Sequence, residues 1–160
     1  MLLRLHSIAR WCYLHRVPVL PRLIKSVLYV CFNCILPAEC SIGPGTCFHH
    51  HGASIIVHPS VDIGKNCNIY NQVVIGGGHD GPDGPPIRIL IGNDVNIGAG
   101  AKVLCKSGVL RVGDGSTIGA NAVVLSDVPP HSIAVGIPAR SVPKKRETVE
   151  TNSELAFSKR

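Results

Sequence analysis

The chain has 160 residues, 45% of them hydrophobic but only 4% aromatic, and a formal net charge of +6. That length suits one domain, and a core so poor in rings has to be layered from Ile, Val, Leu and Ala. The positive residues cluster at the two ends, in Arg4, Arg10, Arg16, Arg22 and Lys25 and again in Arg140, Lys144, Lys145 and Arg146. With no interleaved aromatics and no nucleic-acid motif between them, nucleic acid is excluded as the expected partner.

Residues 1–35 read as a helical cap segment, two short helices broken around Pro18 and Pro21 with apolar faces and basic edges. Charges and prolines interrupt its apolar runs and no small-residue cleavage site follows, which argues against a signal peptide. The longest uncharged stretch, Ser26 to Ala38, is too short to cross a bilayer as a helix. The expectation is a cytoplasmic protein whose basic, apolar N-terminal segment could touch a membrane surface. Seven cysteines, an odd number without the spacing of a secreted framework, are expected as reduced thiols filling the core. Cys31-x-x-Cys34 is the one pair with metal or redox spacing. It lies in an apolar stretch with no second pair, so no metal is expected there or at His49, His50 and His51.

Residues 36–143 carry a different order. An aliphatic residue recurs every six positions, often followed by glycine: Val57, Ile63, Ile69 and Ile75, then Ile91, Ile97 and Val103, then Val112, Ile118 and Val124. A period of six belongs neither to a helix nor to an alternating strand. It predicts a mainly β chain wound as a left-handed parallel β-helix, each hexad forming one face of a triangular coil with its aliphatic residue inward. Gly64, Asn66, Gly92, Asn93, Gly113, Asp114, Gly119 and Asn121 fall where tight corners favour them. The spacing from Ile75 to Ile91 is too long for one coil face, so residues 76–87 are expected to leave the coil as an extruded Gly/Pro-rich loop. A smaller slip carries Lys106, Ser107 and Gly108. Residues 144–160 are polar and aperiodic, as expected for a solvated tail.

Within the repeat, Ile42-Gly-Pro-Gly45, His49-His-His51, Gln72-Val-Val-Ile-Gly-Gly77, Ile97-Gly-Ala-Gly-Ala-Lys-Val103 and Val128-Pro-Pro-His131 leading to Gly136-Ile-Pro-Ala-Arg140 follow one another in a fixed order. That set resembles the serine acetyltransferase branch of the hexapeptide-repeat acyltransferases. The resemblance implies direct acetyl transfer from acetyl-CoA in a homotrimer, with a histidine taking the proton of an acceptor hydroxyl, a task suited to imidazole because it titrates near neutrality. Counting back from Ile75, Ile69, Ile63 and Val57 puts that histidine at His51; counting forward from Ile42 puts it at His50. The longer downstream repeat favours His51. The resemblance also implies that Gly98, Ala99, Gly100 and Ala101 line the pantetheine arm, that Lys106, Arg140, Lys144 and Lys145 meet its phosphates, and that His79, Asp80 and Arg88 contact the acceptor.

Two departures bear on the acceptor. Where the family has one aspartate upstream of the histidine and another directly before it, this chain has Ile35 and His49 or His50, and Pro85-Pro86 replaces the loop's His-Pro pair. The N-terminal segment is also much shorter than the family's helical domain. The layout looks more like acetyltransferases of exopolysaccharide and colanic-acid-type pathways, so a saccharide acceptor is expected, with L-serine as the alternative. A non-catalytic β-helix scaffold is the alternative of another class. A zinc site of the γ-carbonic-anhydrase kind is not expected, because consecutive histidines cannot converge on one metal from one strand.

Overall fold

The computed structural model describes residues 1–77 and 86–144. Two helices come first, α1 (Leu2–Leu14) and α2 (Leu20–Phe32). The break between them falls around Pro18, whereas Pro21 lies in the first turn of α2, where its missing N–H has no intrahelical partner to lose. α2 stops at Asn33, which takes the left-handed conformation (φ 49°) that Asn tolerates and donates from Nδ2 to Ser54 Oγ at 3.0 Å.

Four coils of short strands follow. The first holds β1 (Ser41–Ile42), β2 (Cys47–Phe48) and β3 (Ile56–Val57); the second β4 (Val61–Ile63), β5 (Asn68–Ile69) and β6 (Val74–Gly76). The third holds β7 (Ile87–Ile91), β8 (Asn96–Ile97) and β9 (Lys102–Leu104); the fourth β10 (Gly108–Val112), β11 (Thr117–Ile118) and β12 (Val123–Val124). They stack in parallel into three faces: β1-β4-β7-β10, then β2-β5-β8-β11, then β3-β6-β9-β12. The predicted inward rungs are there. Ile63, Ile91 and Val112 stack on the first face, Ile69, Ile97 and Ile118 on the second, and Val57, Ile75, Val103 and Val124 on the third, all buried. The rungs of the middle coils stack on aliphatic neighbours of like shape, and the one ring in the stack, Phe48, covers Ile69.

Both ends are closed by departures from the repeat. Leu2, Ala9, Ile24 and Leu28 of the helices join Cys34, Leu36, Ala38 and Cys40 in one cluster with the coil core, covering its open end. At the other end β13 (Ser132–Gly136) continues the second face under β11 and turns back antiparallel into β14 (Ala139–Pro143). Gly76 and Ile87, assigned to the loop from the sequence, belong to strands, and residues 78–85 of that loop lie outside the described residues. Just past β6, Gly77 has a φ of +123° and approaches the Cys105 carbonyl too closely to leave room for a side chain. The smaller slip is absorbed by lengthening: β10 pairs with β7 over five residues, from Gly108 beside Ile87 to Val112 beside Ile91.

The cysteines divide as small core fillers and surface residues. Cys31 is exposed on α2, while Cys34, two residues past its end, is fully buried. Burial pushes the thiols of Cys34 and Cys40 up to about 12, which keeps them protonated and inert. Among the described residues no cluster of three His, Cys, Asp or Glu could hold a metal, and no helix is long and apolar enough to cross a membrane.

Candidate active site

The histidines sit where the coil loses its period. Phe48 stacks on Ile69, twenty-one residues on, whereas Val57 stacks on Ile75, eighteen residues on. The first coil therefore has three more residues than the second at the corner between the second and third faces. They form a single 3₁₀ turn, His50–Gly52, closed by the Gly52 N–H donating to the His49 carbonyl at 3.0 Å. His50 and His51 both adopt positive φ, 51° and 58°, a conformation uncommon for non-glycine residues and found where surrounding structure imposes it. The forward register holds as far as His49, whose N–H donates to the Ile69 carbonyl, and the backward register resumes at Ala53, whose carbonyl accepts from Gln72. Both counts made on the sequence therefore end on this turn, one from each side.

The three side chains have unequal surroundings. His49 is half-buried, stacked on Tyr70 with ring centroids 4.5 Å apart, and its Nε2–H donates to Asn68 Oδ1 at 3.0 Å. Asn68 in turn donates from Nδ2 to Asn96 Oδ1 at 3.0 Å, one coil further down. This chain of bonds fixes the His49 tautomer with the proton on Nε2. His50 and His51 are exposed, and the ring of His50 tilts over the same Tyr70 at 6.3 Å. An open cleft of about 790 Å³ borders the turn, walled by Met1, by Leu2 and Leu3 of α1, by Phe32 of α2 and by Thr46–Phe48.

Below His49, the same edge of the prism runs down through Tyr70, Gly98 and Gly119 to Val135, since each follows the stacked rung residues Phe48, Ile69, Ile97, Ile118 and Ala134. With coils about 4.8 Å apart, Gly98 lies roughly 10 Å from His49 along this edge. At Gly98 a Cβ would fall 2.6 Å from the Ala120 backbone nitrogen, so packing requires the glycine, while Gly100 has a φ of +70°, in the left-handed region that favours glycine. Gly100 and Ala101 are buried, so Gly98 and Ala99 form the partly exposed small-residue surface of the edge. Arg140, exposed in β14, pairs with Val135 at its foot.

Within one chain the other sequence candidates lie elsewhere. Lys106 is at the corner between the third and first faces, beside the start of β10. Lys144 is at the corner between the first and second faces, donating from Nζ to the Gly115 carbonyl at 2.6 Å. Arg88 is on the first face, where Nη2 and Nε donate to Asp62 Oδ2 at 2.8 and 3.2 Å and tie β7 to β4. His79, Asp80 and Lys145 lie outside the described residues. Reading the sequence missed His49, Asn68, Asn96 and Tyr70 as a connected group, although Asn68 and Asn96 each directly precede an inward rung residue. It also missed Lys102, whose Nζ donates to the Gly100 carbonyl at 2.9 Å and sets a positive charge beside these small residues.

The chain is similar to serine acetyltransferases. It is 35% identical over 137 residues to that of Synechococcus elongatus, covering 86% of this chain and 54% of the relative. It is 44% identical over 105 residues to that of Helicobacter pylori, covering 66% and 58%. Among solved structures, the Neisseria gonorrhoeae serine acetyltransferase in complex with serine superposes with a TM-score of 0.77 at 30% identity, covering 87% of this chain and 54% of that one. The Brucella abortus enzyme in complex with coenzyme A superposes with a TM-score of 0.79 at 27% identity, covering 89% and 55%. The chain thus spans about half the length of the relatives it matches. No protein-family model matches it. With these neighbours the fold is a left-handed parallel β-helix carrying two N-terminal helices.

Proposed function

We propose that this chain transfers an acetyl group from acetyl-CoA to a hydroxyl of a small acceptor, with His50 as general base. The observation that carries this reading is the single edge of the prism that holds the histidine turn at the top, the small residues Gly98 and Ala99 below it with Lys102 alongside, and Arg140 at the foot. A long thioester with an anionic end matches that order: reactive carbonyl at the histidines, pantetheine arm along the small residues, phosphates at the cations. His50 takes precedence over His51 because its ring leans over Tyr70 into this column. The unprotonated imidazole accepts the hydroxyl proton, the oxygen forms the new ester bond at the thioester carbonyl, and the C–S bond breaks, the departing thiolate taking up a proton. No cysteine is needed as a nucleophile.

A prism edge is convex, so the second wall of a groove has to come from another copy, and we place the site at the interface of a homotrimer. Sedimentation that finds an active monomer would overturn that arrangement. L-serine is the first acceptor to test, because the relatives are serine acetyltransferases and one neighbouring structure holds serine. A saccharide hydroxyl is the second reading, and one observation favours it: residues 46–61, 68–77 and 95–107 contain no Asp or Glu. The described edge therefore offers no carboxylate to an α-ammonium, and a desolvated, unpaired ammonium is costly. The experiment is CoA release from acetyl-CoA with L-serine and with nucleotide-linked and lipid-linked sugars at matched concentration. Turnover of one class over the other decides the acceptor. Absence of both CoA release and CoA binding would leave the scaffold reading and overturn the enzyme.

A further inference from the structure

The helical hairpin that caps the coil ends in a tip that the rest of the described molecule does not cover. Leu14, Val19 and Leu23 are 61%, 69% and 57% exposed, with Trp11 beside them at 57%. The stripe continues along α2 through Leu20, Leu23, Val27 and Val30, which share one helix face, while Ile24 and Leu28 on the adjoining face are buried against the coil. α2 thus carries apolar surface beyond the face that the cap covers. Val19 adds a second observation: a β-branched residue held at φ +72°, outside its preferred regions, keeps its side chain in solvent at the very turn of the hairpin.

Charge identifies the occupant. Residues 1–38 include five Arg and Lys and not one Asp or Glu. Arg10 is engaged by the coil, donating from Nη1 to the carbonyls of Glu39 and Cys40 at 2.8 Å each. Arg4, Arg16, Arg22 and Lys25 have no carboxylate within their own segment, and Arg16 and Arg22 bracket the apolar tip. A second copy of this face would set like charges against each other across an apolar contact. A surface of lipid phosphates supplies the opposite charge, and Trp11, Tyr13 and Tyr29 are amphipathic rings of the kind that settle at headgroup level.

We propose that the hairpin tip docks the protein on an anionic bilayer, with Leu14, Val19 and Leu23 entering the boundary between headgroups and acyl chains and Arg16 and Arg22 meeting the phosphates. Neither helix is long enough to cross the bilayer. At about 1.5 Å per residue, α1 holds the histidine corner, where Leu2 packs on Gly52, on the order of 20 Å from the tip. The docking goes beyond the transfer reaction and stands whichever acceptor is used.

The test is co-sedimentation of the full chain with phosphatidylcholine vesicles and with vesicles that also contain phosphatidylglycerol. Binding to the anionic vesicles alone is expected, falling as salt rises. Arg16→Asn with Arg22→Gln, which respects the left-handed backbone at 16, should weaken that binding about 25-fold, at about fivefold per basic residue. Val19→Asn with Leu23→Gln should abolish it while leaving the melting temperature and CoA binding unchanged. Failure to bind either vesicle, or binding that neither pair of changes weakens, overturns the proposal. So does a change in oligomeric state on Val19→Asn with Leu23→Gln without any vesicle binding, which would assign the tip to a second copy.

Discussion

The second to fourth coils and the first coil follow different rules, although they share the same three faces. From Val61 to Val124 every rung repeats the one above it, and the corners turn on residues such as Asn66, Asp94, Gly100 and Asn121, all at positive φ. In the first coil the second-to-third corner holds three additional residues, the rung is an aromatic Phe48, and two consecutive histidines take the left-handed conformation. The period is interrupted at this second-to-third corner in the first coil alone, and there the added residues include two of the three consecutive histidines. Rigid stacking below supplies the fixed reference against which a strained, exposed turn can be aimed.

The sharpest way to break this comparison is at the turn. His50→Ala is expected to lower turnover by about 10²–10⁴ with acetyl-CoA binding kept, the range for a general base. His51→Ala should do much less, and steady-state kinetics with calorimetric CoA binding would tell the two apart. A reversed ranking would return the base to His51. Because both residues are exposed, neither change should move the melting temperature appreciably.

The coils should answer in the opposite way. Ile97→Ala removes a fully buried rung from the second face and is expected to cost about 2–5 kcal/mol of stability, measured by denaturant unfolding. If the loss is as small as at an exposed site, the aliphatic stack is not what holds the coil.

A smaller effect joins the two regions. Tyr70→Leu deletes the ring on which His49 stacks and over which His50 leans, and should cost roughly 1 kcal/mol of transition-state stabilisation. That corresponds to a severalfold fall in kcat. An unchanged kcat would detach the histidine turn from the second coil.

The smallest effect concerns the cap. Burial holds the His6 imidazole below its ordinary value of 6.5, against the bond from its Nε2–H to the Pro37 carbonyl, which acts the other way. The unfolded chain takes up the proton as pH falls through 6.5 and the folded chain only lower down. Stability from this group is therefore full above 6.5 and lost as pH falls towards the folded value. His6→Leu should flatten the fall in melting temperature on that acid side. Parallel curves for the two proteins would remove His6 from the pH response of the cap.

The coil was legible because its information is local and repeated: Ile63, Ile69 and Ile75 announce three faces in eighteen residues, and any later hexad tests the same rule. The helical pair was legible too, except that Pro21 reads as a breaker and acts as a helix start. What defeated the repeat was the place where residues are added without a partner one coil away. From the chain alone His50 and His51 differ only in the direction of counting, because a register interrupted between two landmarks cannot be assigned from either one.

Sequence by itself determined the coil and its core, since stacking like on like makes each rung predictable from its neighbours. Only the tertiary structure decided which edge each charged residue occupies. Gly98, Arg140 and His49 meet on one edge, and Lys106 and Lys144 on the other two, because the corner a residue reaches depends on the summed length of every face and insertion before it.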